Sequence, residues 1–96
     1  MAKDKSIAIQ VLTSQGVAVS DEAVSVRAPG GLGSFGILYN HAPLVSTLTP
    51  GKLQWKHADG SERAFEVSGG IIEVAHNRCT VLTASVKETS AGLTAR

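Results

Sequence analysis

Apolar residues recur at every second position along most of this chain, in short runs separated by turn residues. A period of two belongs to half-buried β-strands, whose side chains point alternately to the two faces of a sheet. Ile7, Ile9 and Val11 share one face of a first strand within Ser6 to Thr13, and Ser14-Gln15-Gly16 supplies a turn. Val17-Ala18-Val19 resumes the extended pattern, Ser20-Asp21 predicts another turn, and Val24 and Val26 then oppose Ser25 and Arg27. The clearest hairpin covers Gly51 to Ser68: Leu53 and Trp55 alternate with Lys52, Gln54 and Lys56, and Phe65 and Val67 with Ala64, Glu66 and Ser68. Asp59-Gly60 between the two runs predicts a type I′ turn, in which both central residues take positive φ. Trp55 and Phe65 lie on facing strands, where core packing is the default for a chain so poor in aromatic residues. Gly69-Gly70 marks a break or bulge, Ile71 to Ala75 extends again, and His76-Asn77-Arg78 forms a tight turn. Cys79 to Val86 closes the pattern, with Cys79 and Val81 on one face and Leu82 and Ala84 on the other.

Short alternating strands with turn signals about every 8–12 residues predict an antiparallel sandwich or barrel. No apolar period of 3.6 lasts three turns, and no internal repeat is visible, so the expectation is one all-β domain over residues 1–86. Residues 87–96 lose the alternation and are expected to form a disordered or short helical tail.

The stretch from Pro29 to Pro43 carries the strongest motif, because Gly31, Gly33 and Gly36 satisfy the G-x-G-x-x-G spacing of a dinucleotide-binding turn. That motif needs a helix directly behind it, whose free amides hold the pyrophosphate. Ile37-Leu38-Tyr39-Asn40 is poor in helix formers, Pro43 would stop a helix after two turns, and no acidic residue stands near Gln54 to hold a ribose. The glycines are better read as a long loop turning tightly between strands.

The other chemistry is sparse. With nine basic and eight acidic residues the formal net charge is +1, and the scattered lysines and arginines make no stripe for nucleic acid. Cys79 is the only cysteine, which rules out an intrachain disulfide. No apolar run approaches the ~20 residues of a membrane-spanning helix. His41, in Asn-His-Ala-Pro, has no acidic neighbour in sequence and is read as a loop residue bonded to backbone or touching a protein partner. His76 and Cys79 fall short of the three or four ligands of a zinc site, and Cys79 is expected inside a strand as a small hydrophobe. Ser34 lacks the nucleophile-elbow spacing, and Glu62, Glu66 and Glu73 alternate with apolar partners as solvent-facing residues would. No catalytic residue, metal or cofactor is expected.

Two segments resemble the epsilon subunit of F-type ATP synthases, the equivalent of the mitochondrial delta subunit. One is Pro29-Gly30-Gly31-Leu32-Gly33-Ser34-Phe35-Gly36-Ile37-Leu38 with His41-Ala42-Pro43-Leu44 and Leu48-Thr49-Pro50-Gly51. The other is Val67-Ser68-Gly69-Gly70-Ile71-Ile72-Glu73-Val74 with Asn77-Arg78-Cys79-Thr80-Val81-Leu82, and Ile9 to Gly16 is similar to the family's first hairpin. The resemblance implies a ten-stranded sandwich of two antiparallel sheets. It also implies a non-catalytic central-stalk subunit that binds the gamma subunit, rests on the membrane c-ring and couples proton-driven rotation to ATP synthesis. Membrane association would be peripheral, through other subunits, on the cytoplasmic face of a bacterial inner membrane or the stromal face of a thylakoid. Gly33, Ser34, Phe35, Gly36, Asn40 and His41 are the expected subunit-interface residues, at the ring-proximal or gamma-proximal end. Many relatives carry acidic residues in this glycine loop, where Leu32 and Ser34 stand here. Relatives also commonly continue into an inhibitory helical hairpin that residues 87–96 do not supply. Two rivals make other predictions: a free-standing ligand-binding sandwich requires a concave apolar pocket, and a metal-dependent double-sheet enzyme requires convergent His and Glu side chains.

Overall fold

The computed structural model describes residues 5–89. Ten strands run in chain order: β1 (Ile7–Thr13), β2 (Gly16–Ala23), β3 (Ser25–Gly30), β4 (Gly33–Leu38), β5 (Leu44–Leu48), β6 (Gly51–Lys56), β7 (Glu62–Val67), β8 (Gly70–Ala75), β9 (Arg78–Leu82) and β10 (Val86–Thr89). They form two five-stranded sheets, the first ordered β2-β1-β9-β8-β5 and the second β10-β7-β6-β3-β4. The sandwich expected from the alternation is therefore present. One pairing departs from a purely antiparallel scheme, since β1 and β9 run parallel from Ala8↔Arg78 to Leu12↔Leu82.

Between the sheets lies one core, filled by Ile7, Ile9, Val11, Val26, Ile37, Leu53, Trp55, Phe65, Ile72, Val74, Cys79 and Val81, all essentially inaccessible. Trp55 and Phe65 stack with ring centroids 4.8 Å apart, a geometry that adds to their area burial. Burial pushes the Cys79 thiol up to about 12, so it stays protonated and packs as an apolar group.

Because successive strands reverse direction, the connections collect at two ends. One end holds the β1–β2 turn at Ser14-Gln15, the β3–β4 turn at Gly31-Leu32, and the crossings at 49–50, 68–69 and 83–85; we call it the glycine end. The other holds the bend at Val24 and the connections at 39–43, 57–61 and 76–77. His41, His57 and His76 all lie there, and we call it the histidine end.

Several local expectations change. Ser20-Asp21 does not turn: β2 continues to Ala23, held by Ile9↔Asp21 and Ile7↔Ala23 pairing, and the chain changes sheets at Val24 instead. Asp59 does not take positive φ. The β6–β7 loop closes through Gly60 N–H to His57 carbonyl (2.9 Å) and His57 N–H to Ser61 carbonyl (2.8 Å), with only Gly60 left-handed (φ 91°). The two-residue turn with both φ values positive occurs at His76 (52°) and Asn77 (60°), between the paired Ala75 and Arg78. Pro29 to Gly36 is not a long loop but the β3–β4 hairpin, registered from Ser25↔Leu38 to Gly30↔Gly33. Lys87 to Thr89 belongs to β10, paired with β7 from Val86↔Val67 to Thr89↔Ala64, so the expected boundary at 86/87 falls inside a strand. The remainder of the expected tail, 90–96, lies outside the described residues.

Candidate adhesion surface

The six residues expected at an interface do not form one cluster. Gly33 and Ser34 open β4 at the glycine end, Phe35 and Gly36 continue it, and Asn40 and His41 follow it at the histidine end. A six-residue strand spans about 17 Å, so no single small contact covers all six. Gly36 is followed by strand rather than helix, which removes the structural context of a dinucleotide site. Phe35 is half-buried against the core and seats the hairpin; a Cβ on Gly30 would stand 2.9 Å from its ring and 3.0 Å from the Gly33 carbonyl. Gly33 takes φ 118°, a conformation that side chains disfavour. These two glycines hold Leu32 fully in solvent at the hairpin tip.

Asn40 is tied to the β8–β9 turn: its N–H donates to Asn77 Oδ1 (2.6 Å), and Asn77 Nδ2 donates to Asn40 Oδ1 (3.1 Å). His41 Nδ1 lies 2.7 Å from the Ala42 carbonyl, the backbone bond expected of a loop histidine.

A broader feature lies on the outer face of the first sheet. Ladder pairing aligns Thr47, Ile71, Leu82, Leu12 and Val17 in one row across all five strands. Ile71 is 45% exposed, Leu82 51% and Val17 55%, and Val45, on the same edge strand, reaches 70%. Sequence reasoning missed this row because Val17 and Val19, two apart, share a face in a regular strand. A β-bulge separates them: Val11 pairs with Val19 but Leu12 with Val17, which turns Val17 outward while Val19 packs on the core. A depression of about 420 Å³ beside the row is lined by Leu12, Ser14, Gly70, Ile71, Leu82 and Thr83.

The second sheet's outer face is different in kind. Lys56 faces Glu62, Lys52 faces Glu66, and Glu66 faces Lys87, all exposed. Opposite charges in register stabilise a solvated face modestly and discourage adhesion.

A polar cluster at the histidine end also escaped the sequence reading, because its members are far apart in the chain. Asp21, on the core-facing side of β2, accepts from Trp55 Nε1 (2.8 Å) and Arg63 Nη1 (3.3 Å) and lies 2.6 Å from His57 Nε2. Partial burial works to raise the Asp21 pKa, but hydrogen bonds with His57, Trp55 and the Glu22 amide outweigh it and hold the value at about 2. Arg63 also grips Glu88 through Nε (2.9 Å) and Nη2 (3.0 Å) and lies over the Phe65 ring at 5.1 Å. The cluster thus joins β2 of one sheet to β6, β7 and β10 of the other. Ser61, His57 and Asp21 form a hydrogen-bonded line that superficially matches a nucleophile, base and orienting acid. The Ser61 hydroxyl, however, already donates to Asp59 Oδ1 (2.7 Å), so its proton is not presented to His57. The line is a brace between sheets, not a catalytic site.

Among the described residues no group of three or more His, Cys, Asp or Glu is arranged to hold a metal ion.

The two five-stranded sheets define a β-sandwich module, and comparison with known proteins gives its lineage. The family described as "ATP synthase, Delta/Epsilon chain, beta-sandwich domain" matches residues 6–89. The ATP synthase epsilon chain of Desulfosudis oleivorans is 41% identical over 83 residues, covering 86% of this chain and 62% of that one. That of Chlorobium limicola is 39% identical over 85 residues, covering 88% of this chain and 97% of that one. The fold also matches a chain in the Euglena gracilis mitochondrial ATP synthase OSCP/F1/c-ring structure, with TM-score 0.82, 18% identity, 95% of this chain and 60% of that one. A second match, in the Tetrahymena thermophila mitochondrial ATP synthase central stalk/c-ring, has TM-score 0.66 and 17% identity over 83% of this chain and 64% of that one. This chain belongs to the β-sandwich family of ATP synthase delta and epsilon chains, and it spans less than two thirds of the length of several of the relatives it matches.

Proposed function

We propose that this chain docks a gamma subunit onto a membrane c-ring and so couples proton-driven rotation to ATP synthesis. The observation that carries the reading is the apolar row of exposed Val17, Leu82 and Ile71 with half-buried Leu12 between them, and exposed Val45 in the next row opposite Glu73. A row of this kind on a small sandwich is stabilised by covering it with a partner. Gamma is assigned to this face, with Asn40 and His41 at its rim because they lead directly into β5, which carries Val45. Gly33 and Ser34, at the glycine end, are assigned to the ring side, with Phe35 and Gly36 behind them. Coupling of this kind needs stiffness rather than chemistry, and a close-packed core, with the Asp21–Arg63–Glu88 brace tying the two sheets together at the histidine end, supplies it. The working location is peripheral, on the cytoplasmic face of a bacterial inner membrane or the stromal face of a thylakoid.

Pull-down of the chain from membranes solubilised in mild detergent tests the reading. Recovery of gamma and c subunits is the expected result, and their absence overturns it. Bulky labels at Ser34 and His41 then test the two assignments separately: the first should weaken ring contact, the second gamma contact.

A further inference from the structure

We infer that the glycine end meets its partner through an uncharged, apolar contact centred on Leu32, a proposal that rests on the ring-docking reading above. The turn residues collected there are Ser14, Gln15, Gly31, Leu32, Thr49, Pro50, Ser68, Gly69 and Thr83 to Ser85, and not one carries a charge. The histidine end, by contrast, gathers His41, His57, Asp59 and His76 in its connections. Among the described residues, Leu32 is the only large apolar side chain in the turns of the glycine end. It is completely exposed, and no Cβ at Gly31 or Gly33 would meet any atom within 4 Å, so it stands clear of its neighbours. Its pedestal is stiff: the Gly30↔Gly33 pair closes the hairpin, Phe35 packs beneath, and the Pro29 carbonyl accepts from the Thr49 N–H at 3.1 Å. A single apolar side chain on a rigid, neutral tip fits a shallow apolar recess between partner loops, not an acidic or basic one.

The nearest charges lie on the flank, not the tip. Arg27 and Lys52 are on the second sheet's outer face, where Arg27 Nη1 donates to Ser34 Oγ at 3.3 Å, and Lys52 stands opposite Glu66. They define the alternative, an ionic contact made sideways from β3 and β6.

The test uses the full chain and a detergent-solubilised gamma–c-ring assembly, with affinity measured from 50 to 500 mM salt. Wild type should change less than about twofold across that range, since neutral contacts are insensitive to screening. Leu32→Ala should weaken binding about tenfold and Leu32→Asp more, consistent with losing one buried leucine. Because Leu32 touches no core residue, both variants should keep the wild-type melting temperature. Arg27→Ala should have little effect. A steep salt dependence, or normal binding by Leu32→Asp, overturns the inference while leaving the ring-docking reading intact. A wild-type chain that does not bind the assembly at all overturns both.

Discussion

The two outer faces of this sandwich are built on the same five-stranded scaffold and differ almost entirely in what they present. The second sheet shows water a lattice of opposite charges, Lys56 to Glu62 and Lys52 to Glu66 to Lys87. The first shows a cross-strand row of aliphatic side chains, with charge held back to Glu22, Glu73 and Arg78 in the rows toward the histidine end. The second face is mostly charged, with Leu38 exposed on its edge strand, whereas the first carries its exposed aliphatic side chains in one row across the sheet. Under the proposed reading, the first face is the one a partner covers.

The largest effect comes from disturbing the backbone beneath the apolar row. Gly70 takes φ 137°, and a Cβ there would collide with the Leu82 carbonyl. Gly70→Ala should cost about 3 kcal/mol or more in chemical denaturation and lose partner binding with it. Charge placed on the row itself separates binding from folding. The double change Ile71→Glu and Leu82→Glu should reduce affinity for a gamma subunit about a hundredfold, with the melting temperature nearly unchanged because both side chains are already exposed. The brace supports both faces, and its contribution is pH-dependent. Asp21 titrates at about 2 in the fold against 3.8 as its ordinary value. Its stabilisation is therefore full above about pH 4 and lost as pH falls toward 2. Asp21→Asn should cost about 1–2 kcal/mol at neutral pH and flatten the acid limb of the stability profile over that window. Smallest of all, Lys52→Ala and Lys56→Ala should leave stability within about 0.5 kcal/mol and binding within twofold.

What the sequence disclosed was what local periodicity controls. Alternation in Ile7-Ile9-Val11 and Leu53-Trp55 found the inward faces, and the glycine and histidine-asparagine signals found most turns. What it concealed came from pairing between distant strands. Val17 looks like a core residue until the bulge against Leu12 turns it outward. Asp21 looks like a turn residue because short polar side chains often bond their own backbone. In the fold, pairing with Ile9 and the donors on Trp55 and Arg63 win instead. The Asp59-Gly60 signal found the right hairpin with the wrong turn, since the Asp59 side chain accepts from the Ser61 amide and hydroxyl and favours a longer loop. The candidate interface was legible only in part: the glycine hairpin stood out by composition, whereas the apolar row exists only after five strands are in register.

The central claim, that the first sheet's outer face is the adhesive one, is open to one direct measurement. Cys79 is buried and protonated, so single cysteines introduced at Leu82, Ile71, Lys52 or Lys56 can be followed by thiol labelling without background from it. With a gamma subunit and c-ring bound, labelling at positions 71 and 82 should fall at least tenfold, while positions 52 and 56 react as in the free chain. Protection at 52 and 56 with 71 and 82 still open would contradict the account.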